Sequence, residues 1–289
     1  MKEQFLNLLS LIRVKHWLKN GFVFLPAFFA AQAELIYSTN VIFVFFSFCL
    51  ASSSIYVFND ILDVESDRIH PSKKQRPLAS GFYSMKFAWF LFSGLALLFL
   101  LSLLIISNAG IYILMYFVLN IIYSLGLKNI AILDVASISL GFVLRVLAGG
   151  FSVGVYVSHW MIIMVFLLTI SIAFAKRRDD LVIDIAKSQL RKSLSGYNIS
   201  FLDIATTVSM TITLVAYILY SVSGEVIQRI GSDKLYVSSF FVFIGIMRYL
   251  QIMIIDRKSG SPIEVLWKDR FLQIVVILWV LVISLIIYG

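Results

Sequence analysis

Residues 40–67 read NVIFVFFSFCLASSSIYVFNDILDVESD, an uncharged apolar run that leads directly into a cluster of acidic residues. The uncharged part, Asn40 to Phe58, is long enough for a helix that crosses the hydrocarbon core of a bilayer. Only helices and closed barrels satisfy the backbone inside lipid, and barrel strands would alternate apolar and polar residues. This stretch does not alternate, so it predicts a membrane-spanning helix that runs into the acidic segment 59–67.

The same pattern recurs along the chain. Of its 289 residues, 60% are hydrophobic, whereas an average soluble domain has roughly 45–50% apolar residues. We therefore predict an all-α polytopic membrane protein that forms one integral membrane domain over residues 1–289. Its nine predicted spans are Gly21–Tyr37, Asn40–Asn59, Met85–Ile106, Gly110–Gly126, Ala131–Phe151, His159–Ala175, Phe201–Ser223, Leu235–Ile255 and Phe271–Tyr288.

The charged residues predict the topology. Residues 1–20 have apolar side chains on one helical face, and we expect them to form an interfacial helix ahead of the first span. Of the 24 Lys and Arg residues, Arg145 and Arg248 lie within spans, and twenty of the others fall inside if the N-terminus is inside; only Arg229 and Lys234 fall outside. This asymmetry predicts a bacterial inner-membrane protein with an inside N-terminus. It also explains the net charge of +8 without nucleic-acid binding.

The cysteine and histidine residues exclude several kinds of site. Cys49 is the single cysteine, which excludes a disulfide framework or a thiolate metal site. The three histidines, His16, His70 and His159, are distant from one another along the chain and on different sides of the predicted topology. We therefore expect neither a histidine-ligated metal nor a serine hydrolase triad.

The acidic segment 59–67 is the strongest candidate site. If the helix continues through it, Asn59, Asp63 and Asp67 share one face at i, i+4 and i+8, and Asp60 lies in a neighbouring row. Carboxylates repel one another and are disfavoured at a helix C-terminus, so they need a compensating partner. Oxygen ligands of this kind suit Mg²⁺, with Mn²⁺ as the alternative ion. We predict that Asn59, Asp60, Asp63 and Asp67 bind metal and that Asp63 and Asp67 are catalytic; a solvated helix end is the alternative.

A second charged segment follows the sixth predicted span. It begins with Lys176, Arg177 and Arg178, and its Asp180 and Asp184 again have i, i+4 spacing. Acids after a span are often topological anchors, but this segment is on the same predicted membrane face as the first. We expect Asp180 and Asp184 to be metal ligands too, because Mg²⁺ held by carboxylates neutralises a departing diphosphate.

Basic residues beside the acidic segments are candidates for binding substrate phosphates; contact with lipid headgroups is the alternative. Arg76 is the best of them, because it begins the turn sequence RPLASG close to the first segment. For Arg145 and Arg248, inside spans, a structural salt bridge and a cavity-lining role are both open. The predicted substrate-binding residues are Lys15, Lys19, Asn20, Lys73, Arg76, Lys128, Arg145, Lys176, Arg177 and Arg178.

The pattern Asn-Asp-x-x-Asp-x-x-x-Asp after the second of nine predicted spans resembles the UbiA superfamily of intramembrane prenyltransferases. The stretches RVKHWLKN (13–20), RKSLSGY (191–197) and GSPIEV (260–265) are similar to its polyprenyl-phosphate phosphoribosyltransferase branch. The resemblance implies a UbiA-type helical bundle that uses Mg²⁺ at two aspartate-rich motifs. It further implies 5-phosphoribosyl diphosphate as the donor and a polyprenyl (decaprenyl-type) phosphate as the acceptor.

Two other functions stay open. The aspartates at 179–184 are also similar to the Asp-x-x-x-Asp of prenyltransferases that move a polyprenyl group to an aromatic acceptor. A lipid-phosphate transporter would instead predict inverted repeats and helices broken at mid-membrane, and we find no such repeat. The expected partners are the two substrates and membrane lipid but no nucleic acid, with a homo-oligomer left open.

Overall fold

The computed structural model describes residues 2–70, 73–106, 108–187, 192–256, 265 and 268–289, and these ranges contain helices and turns but no strand. Short 3-10 helices cover Val14–Phe24, Ala33–Tyr37, Lys73–Gln75, Leu127–Asn129, Lys192–Gly196 and Lys234–Ser238. The α-helices are α1 (Lys2–Leu11), α2 (Leu25–Phe29), α3 (Thr39–Leu62), α4 (Val64–Ile69), α5 (Met85–Leu103), α6 (Gly110–Leu125), α7 (Leu133–Ser152), α8 (His159–Lys187), α9 (Ile199–Ser221), α10 (Gly224–Ile230), α11 (Ser239–Ile254) and α12 (Arg270–Tyr288).

The prediction of an all-α polytopic membrane protein is confirmed. Within the described ranges, 7 helices are long and apolar enough to cross a membrane, and they include α3, α5 and α7. The predicted count of nine is not confirmed, because α6 has only 16 residues and the first predicted span is not one helix. There, Pro26 lacks the N–H that a continuing helix needs, and Ala31 is left-handed at φ 59°.

The N-terminal segment also differs from the prediction. Helix α1 ends at Leu11, which is fully buried. Arg13 then turns the chain at a left-handed φ of 52°, before the 3-10 helix Val14–Phe24 begins. The expectation of one helix through this segment is therefore wrong, and its position at the membrane interface stays a prediction.

Internal contacts divide the chain into two compact units, each built from three stretches of sequence. The first unit consists of Met1–Phe28, Glu34–Gly126 and Leu144–Tyr156. Helix α3 packs there against α5, α6 and the 3-10 helix Val14–Phe24. The packing is close, since a Cβ added at Gly149 would lie 1.9 Å from the carbonyl oxygen of Val23. A residue larger than glycine would force these two segments apart.

The second unit consists of Phe29–Ala33, Leu127–Val143 and Val157–Gly289. Helix α8 packs along α9, and α11 packs against α12. Two apolar clusters form its core, one around Phe174 and Leu194 and the other around Met210 and Met253. A single domain over residues 1–289 stays a prediction.

Candidate active site

The first acidic segment lies where α3 meets α4. Asp63 separates the two helices with φ −96° and ψ 3°. The helical hydrogen bonding nevertheless continues, because the Asp63 N–H donates to the Asn59 carbonyl at 3.0 Å and the Asp67 N–H donates to the Asp63 carbonyl at 2.8 Å. The backbone therefore keeps the predicted i, i+4, i+8 relation of these three residues across the junction.

Two carboxylates of this segment are buried and ion-paired. Asp60 and Asp67 are each 3% exposed. Arg13 donates to Asp60 at 2.5 Å, while Arg76 donates to Asp60 at 3.2 Å and to Asp67 at 2.5 Å. A buried carboxylate would be strongly destabilising without such partners. The predicted position of Arg76 beside the first segment is confirmed, and two guanidinium groups supply much of the compensating charge that the sequence requires.

The oxygen donors of the first segment can be compared with what a magnesium site requires. No group of three or more His, Cys, Asp or Glu side chains in the described ranges is arranged to hold a metal ion. In phosphate-processing sites, however, Mg²⁺ commonly takes one or two carboxylates and fills its other positions with substrate phosphate and water. Asn59 and Asp63 are half-buried, whereas Asp60 and Asp67 are buried. The donor set therefore fits a magnesium ion that is shared with substrate.

Arg145, from α7, lies in a buried polar network of the first unit. Its side chain is 4% exposed. Its Nε donates to Asn20 Oδ1 at 2.8 Å and its Nη2 donates to Tyr116 Oη at 2.9 Å. The guanidinium also lies over the rings of Tyr116 and Phe48, at 4.4 and 5.5 Å from their centroids. These contacts hold a positive charge in the interior, where an anionic ligand would be attracted strongly.

Lys19 adds a second positive charge near this network. It is half-buried on the 3-10 helix Val14–Phe24. Burial, together with the neighbouring Arg145 and Arg13, lowers its pKa to about 8. Among the described residues, no hydrogen bond or ion pair to the Lys19 ammonium is present. An amine in this position is stabilised in its charged form by a bound phosphate.

The second charged segment belongs to α8, which extends well beyond the predicted end at Ala175, to Lys187. Arg177 donates from Nε to Asp134 Oδ2 at 2.6 Å and from Nη1 to Asp180 Oδ2 at 3.0 Å. Arg178 donates from Nε to Asp203 Oδ1 at 2.5 Å. Both arginines are buried. Their side chains therefore join α8 to α7 and α9 through ion pairs.

Asp134 lies at the centre of the larger of these networks. It is 0% exposed, and its Oδ1 accepts from Tyr197 Oη at 2.7 Å and from the Val135 N–H at 2.9 Å. Burial and the hydrogen bond to Asp134 raise the pKa of Tyr197. With the Arg177 Nε, three donors satisfy the buried carboxylate, as buried polar groups require.

For the other predicted site residues, the structure gives the degree of exposure but no contact as specific as those above. Lys15 and Lys176 are exposed, and Lys73 and Lys128 are half-buried. The backbone of Asp184 lies in α8, but its side chain is outside the described part of the structure. Arg191 and residues 260–264, which belong to two of the stretches that suggested the family, lie outside the described residues altogether.

Five residues of these networks were not among the predicted site residues: Arg13, Tyr116, Asp134, Tyr197 and Asp203. A signal existed for Asp203, because it is an acid inside a predicted span and such residues need partners. Arg13 lies in the stretch RVKHWLKN that suggested the family. No property of the sequence near Tyr197 indicates that its hydroxyl reaches Asp134.

The apolar helices and the charged groups at their ends define an integral membrane protein with the UbiA fold. The structure is similar to that of a UbiA homologue from Archaeoglobus fulgidus bound to DMAPP and Mg²⁺, with a TM-score of 0.71 and 19% identity over 97% of this chain and 99% of that one. The profile of the family described as UbiA prenyltransferase family matches residues 21–275. The chain belongs to that family.

Two similar relatives share a more specific name. The chain is 32% identical to the decaprenyl-phosphate phosphoribosyltransferase of Mycolicibacterium smegmatis, over 98% of this chain and 92% of the relative. It is 30% identical to the protein of that name from Corynebacterium glutamicum, over 98% of this chain and 87% of the relative. The similarity thus includes both charged segments.

Proposed function

We propose that this protein transfers 5-phosphoribose from 5-phosphoribosyl diphosphate to a polyprenyl phosphate. The observation that carries the proposal is the similarity over 98% of the chain to decaprenyl-phosphate phosphoribosyltransferases. The buried cations of the first unit support it. The donor carries a 5-phosphate in addition to its diphosphate, and the acceptor lipid carries a phosphate of its own. Such groups need charge-assisted donors such as Arg145 and Lys19.

The reaction exchanges one bond at the anomeric carbon of the ribose. An oxygen of the lipid phosphate forms a new bond to that carbon, and the bond from the carbon to the diphosphate oxygen breaks. The diphosphate leaves with the electron pair, so positive charge develops on the sugar and negative charge on the leaving group. Bound Mg²⁺ supplies neutralisation of that leaving group.

The two charged segments would hold metal in different ways. In the first segment we assign Asn59 and Asp63 as direct ligands, because they are half-buried whereas Asp60 and Asp67 are buried in pairs with arginines. Asp60 and Asp67 would act by fixing Arg13 and Arg76 as well as by their own charge. In the second unit, Asp180 has a side chain that is 36% exposed, and we assign it, with Asp184, a ligand role there.

The phosphate contacts are assigned from burial and charge. Lys19 and Arg145, with Asn20 as the amide that orients Arg145, form the buried part of the set. Arg76 is 27% exposed and can face a ligand while it holds Asp67. The remaining proposed contacts are Lys15, Lys73, Lys128, Lys176, Arg177 and Arg178.

The charge asymmetry along the sequence supports a location for the reaction. We assign the protein to a bacterial inner membrane with the N-terminus and the catalytic residues on the cytoplasmic side. A phosphorylated sugar is soluble in the cytoplasm, whereas a polyprenyl phosphate presents its headgroup at the membrane surface. The enzyme would therefore join a soluble donor to a lipid acceptor at that surface.

The direct test incubates purified protein with labelled 5-phosphoribosyl diphosphate, Mg²⁺ and polyprenyl phosphate, followed by organic extraction. Label should appear in the lipid phase with wild-type protein and with Glu65→Gln, an exposed acid of the same segment. It should be nearly absent with Asp63→Asn. If label stays in water while a prenyl diphosphate is consumed with an aromatic acid, the protein is a prenyltransferase and the proposal fails.

A further inference from the structure

The ring of Tyr197 is fixed in an aromatic cluster of the second unit. It packs edge-on against Phe174, with ring centroids 6.3 Å apart, and stacks on Phe201 at 5.9 Å. The residue follows the 3-10 helix Lys192–Gly196 directly and is only 8% exposed. Because neighbouring side chains hold the ring, the position of its hydroxyl is well defined.

That hydroxyl makes two hydrogen bonds whose directions follow from chemistry. The Ile132 backbone N–H lies 2.5 Å from Tyr197 Oη, and a backbone N–H can only donate. The hydroxyl therefore accepts there and keeps its single proton for Asp134 Oδ1, at 2.7 Å. One oxygen thus links the start of α7 to the segment before α9.

The segment that Tyr197 contacts has a strained backbone. Ile132 has φ 70°, a left-handed conformation that β-branched residues adopt only when their surroundings hold them there. The contact beside it is close, since a Cβ added at Gly196 would lie 2.6 Å from the Cβ of Ala131. The Tyr197 hydroxyl accepts the hydrogen bond from the N–H of this strained residue, so it helps to keep Ile132 in place.

The chain of contacts continues from Asp134 to the exposed end of the network. Asp134 uses one carboxylate oxygen for Tyr197 and the other for Arg177 Nε, at 2.6 Å. Arg177 then reaches Asp180 Oδ2 from Nη1, at 3.0 Å. Asp134 is fully buried, while the Asp180 side chain is 36% exposed. Three donors hold the Asp134 carboxylate, and Arg177 contacts two different carboxylates from Nε and Nη1, so the orientation of its guanidinium is restricted as well.

We propose that Tyr197 is a positioning residue that sets Arg177 and Asp180 through Asp134. This inference rests on the proposed function, in which Arg177 binds a donor phosphate and Asp180 a metal ion. Tyr197 itself would touch neither substrate nor metal. Its hydroxyl would hold the buried end of the chain of contacts so that the exposed end meets the donor in a single orientation.

The test replaces Tyr197 by Phe, which keeps the ring and removes the hydroxyl. Loss of the hydroxyl removes the acceptor of the Ile132 N–H and leaves Asp134 Oδ1 with the Val135 N–H as its remaining donor, which is costly in a buried site. We expect the apparent KM for 5-phosphoribosyl diphosphate to rise about tenfold, with the KM for polyprenyl phosphate changing less than twofold. Amide exchange of a peptide that contains Ile132 should also become faster.

Tyr220→Phe is the matched control. Tyr220 is a buried tyrosine of the same unit, and its hydroxyl has no hydrogen-bond partner among the described residues. Its replacement should leave both KM values unchanged. If the variant proteins resist purification, the same KM comparison in native membranes, scaled to protein amount, retains the readout.

The outcomes separate this inference from the proposed function. If wild-type protein transfers phosphoribose and Tyr197→Phe has an unchanged donor KM, the chain of contacts is purely structural and the inference fails. The same holds if Tyr220→Phe shifts the donor KM equally. If wild-type protein uses a prenyl diphosphate instead, the proposed function fails, and the donor KM of Tyr197→Phe for that diphosphate decides the positioning role.

Discussion

The two charged segments pair their buried acids and arginines in opposite arrangements along the chain. In the first, the acids lie together in sequence at 59–67, and the arginines that pair with them, Arg13 and Arg76, come from other segments. In the second, Arg177 and Arg178 lie together on α8, and their acids, Asp134 and Asp203, come from the neighbouring helices. Among the described residues, the buried acids Asp60, Asp67 and Asp134 are each paired with a guanidinium, as the cost of burying a lone charge requires.

The two segments also differ in where their partly exposed carboxylate and amide groups lie. In the first segment, half-buried Asn59 and Asp63 alternate with buried Asp60 and Asp67 along consecutive turns. In the second, the Asp180 side chain is 36% exposed and lies at the end of a chain of contacts that begins at the buried Asp134. The positions of the oxygen donors in the first segment thus follow from local helical spacing. The position of Asp180 in the second segment depends instead on tertiary contacts. The two should respond differently to substitution.

Metal removal should have the largest effect and tests whether either segment has a catalytic role. Oxygen donors without histidine or thiolate favour Mg²⁺ or Mn²⁺ over softer ions. An excess of chelator should therefore abolish phosphoribosyl transfer, Mg²⁺ or Mn²⁺ should restore it, and Zn²⁺ should restore little. The measurement is labelled ribose in the lipid phase as a function of free metal concentration.

Full activity in excess chelator would mean that the carboxylates of both segments serve only as partners for arginines. The comparison between the segments would then concern stability alone.

The second prediction concerns the buried end of the second segment. Asp134→Asn removes the buried charge partner of Arg177 and leaves only the partly exposed Asp180, which should lower the free energy of unfolding by about 3 kcal/mol. Denaturant titration in mild detergent measures this change. Glu225→Gln is the control in the same unit, because Glu225 is 55% exposed in its pair with Arg229, and exposed pairs contribute about 1 kcal/mol or less. Equal losses in the two variants would contradict the contrast.

The sequence predicts much of this fold because its long helices coincide with uncharged apolar runs. The prediction from hydropathy is wrong at the first span, where the average hydropathy is high but Pro26 and the left-handed Ala31 interrupt the helix. It fails again at Arg13, where a single backbone angle divides the N-terminal helix. Average hydropathy does not detect such local backbone constraints.

The candidate site was predictable to the extent that its residues are neighbours in sequence. The spacing of Asn59, Asp63 and Asp67 was accessible because one helix fixes it. The pairs formed by Asp134 with Arg177 and with Tyr197 join residues 43 and 63 positions apart. Such pairs depend on how helices pack, which periodicity in one sequence does not specify.

The third prediction compares the two segments directly in turnover. Asp63→Asn keeps the shape of a half-buried ligand and removes its charge, so kcat should fall roughly 10²-fold. Asp180→Asn should cost less, about tenfold, because Arg177 remains nearby to bind the donor phosphate. Steady-state kinetics of both variants beside Glu65→Gln provide the measurement. Normal turnover in Asp63→Asn would identify the first segment as a solvated helix end.

The last and smallest expected effect concerns Lys19, and it tests whether the first unit binds a phosphate of the donor. Its pKa is lowered to about 8 by burial and by Arg145 and Arg13, so it loses its charge as pH rises through that value. If it binds a donor phosphate, the KM for 5-phosphoribosyl diphosphate should rise about tenfold between pH 7 and pH 9. Lys19→Arg should remove this rise, because a guanidinium stays charged throughout that range. Unfolding cannot produce the same trend. A lysine whose pKa is lower in the folded state binds fewer protons there than in the unfolded state, so its contribution to stability increases from pH 8 toward 10.5. A KM that stays flat with pH in wild-type protein would exclude Lys19 from the donor site and leave Arg145 as the buried cation that serves it.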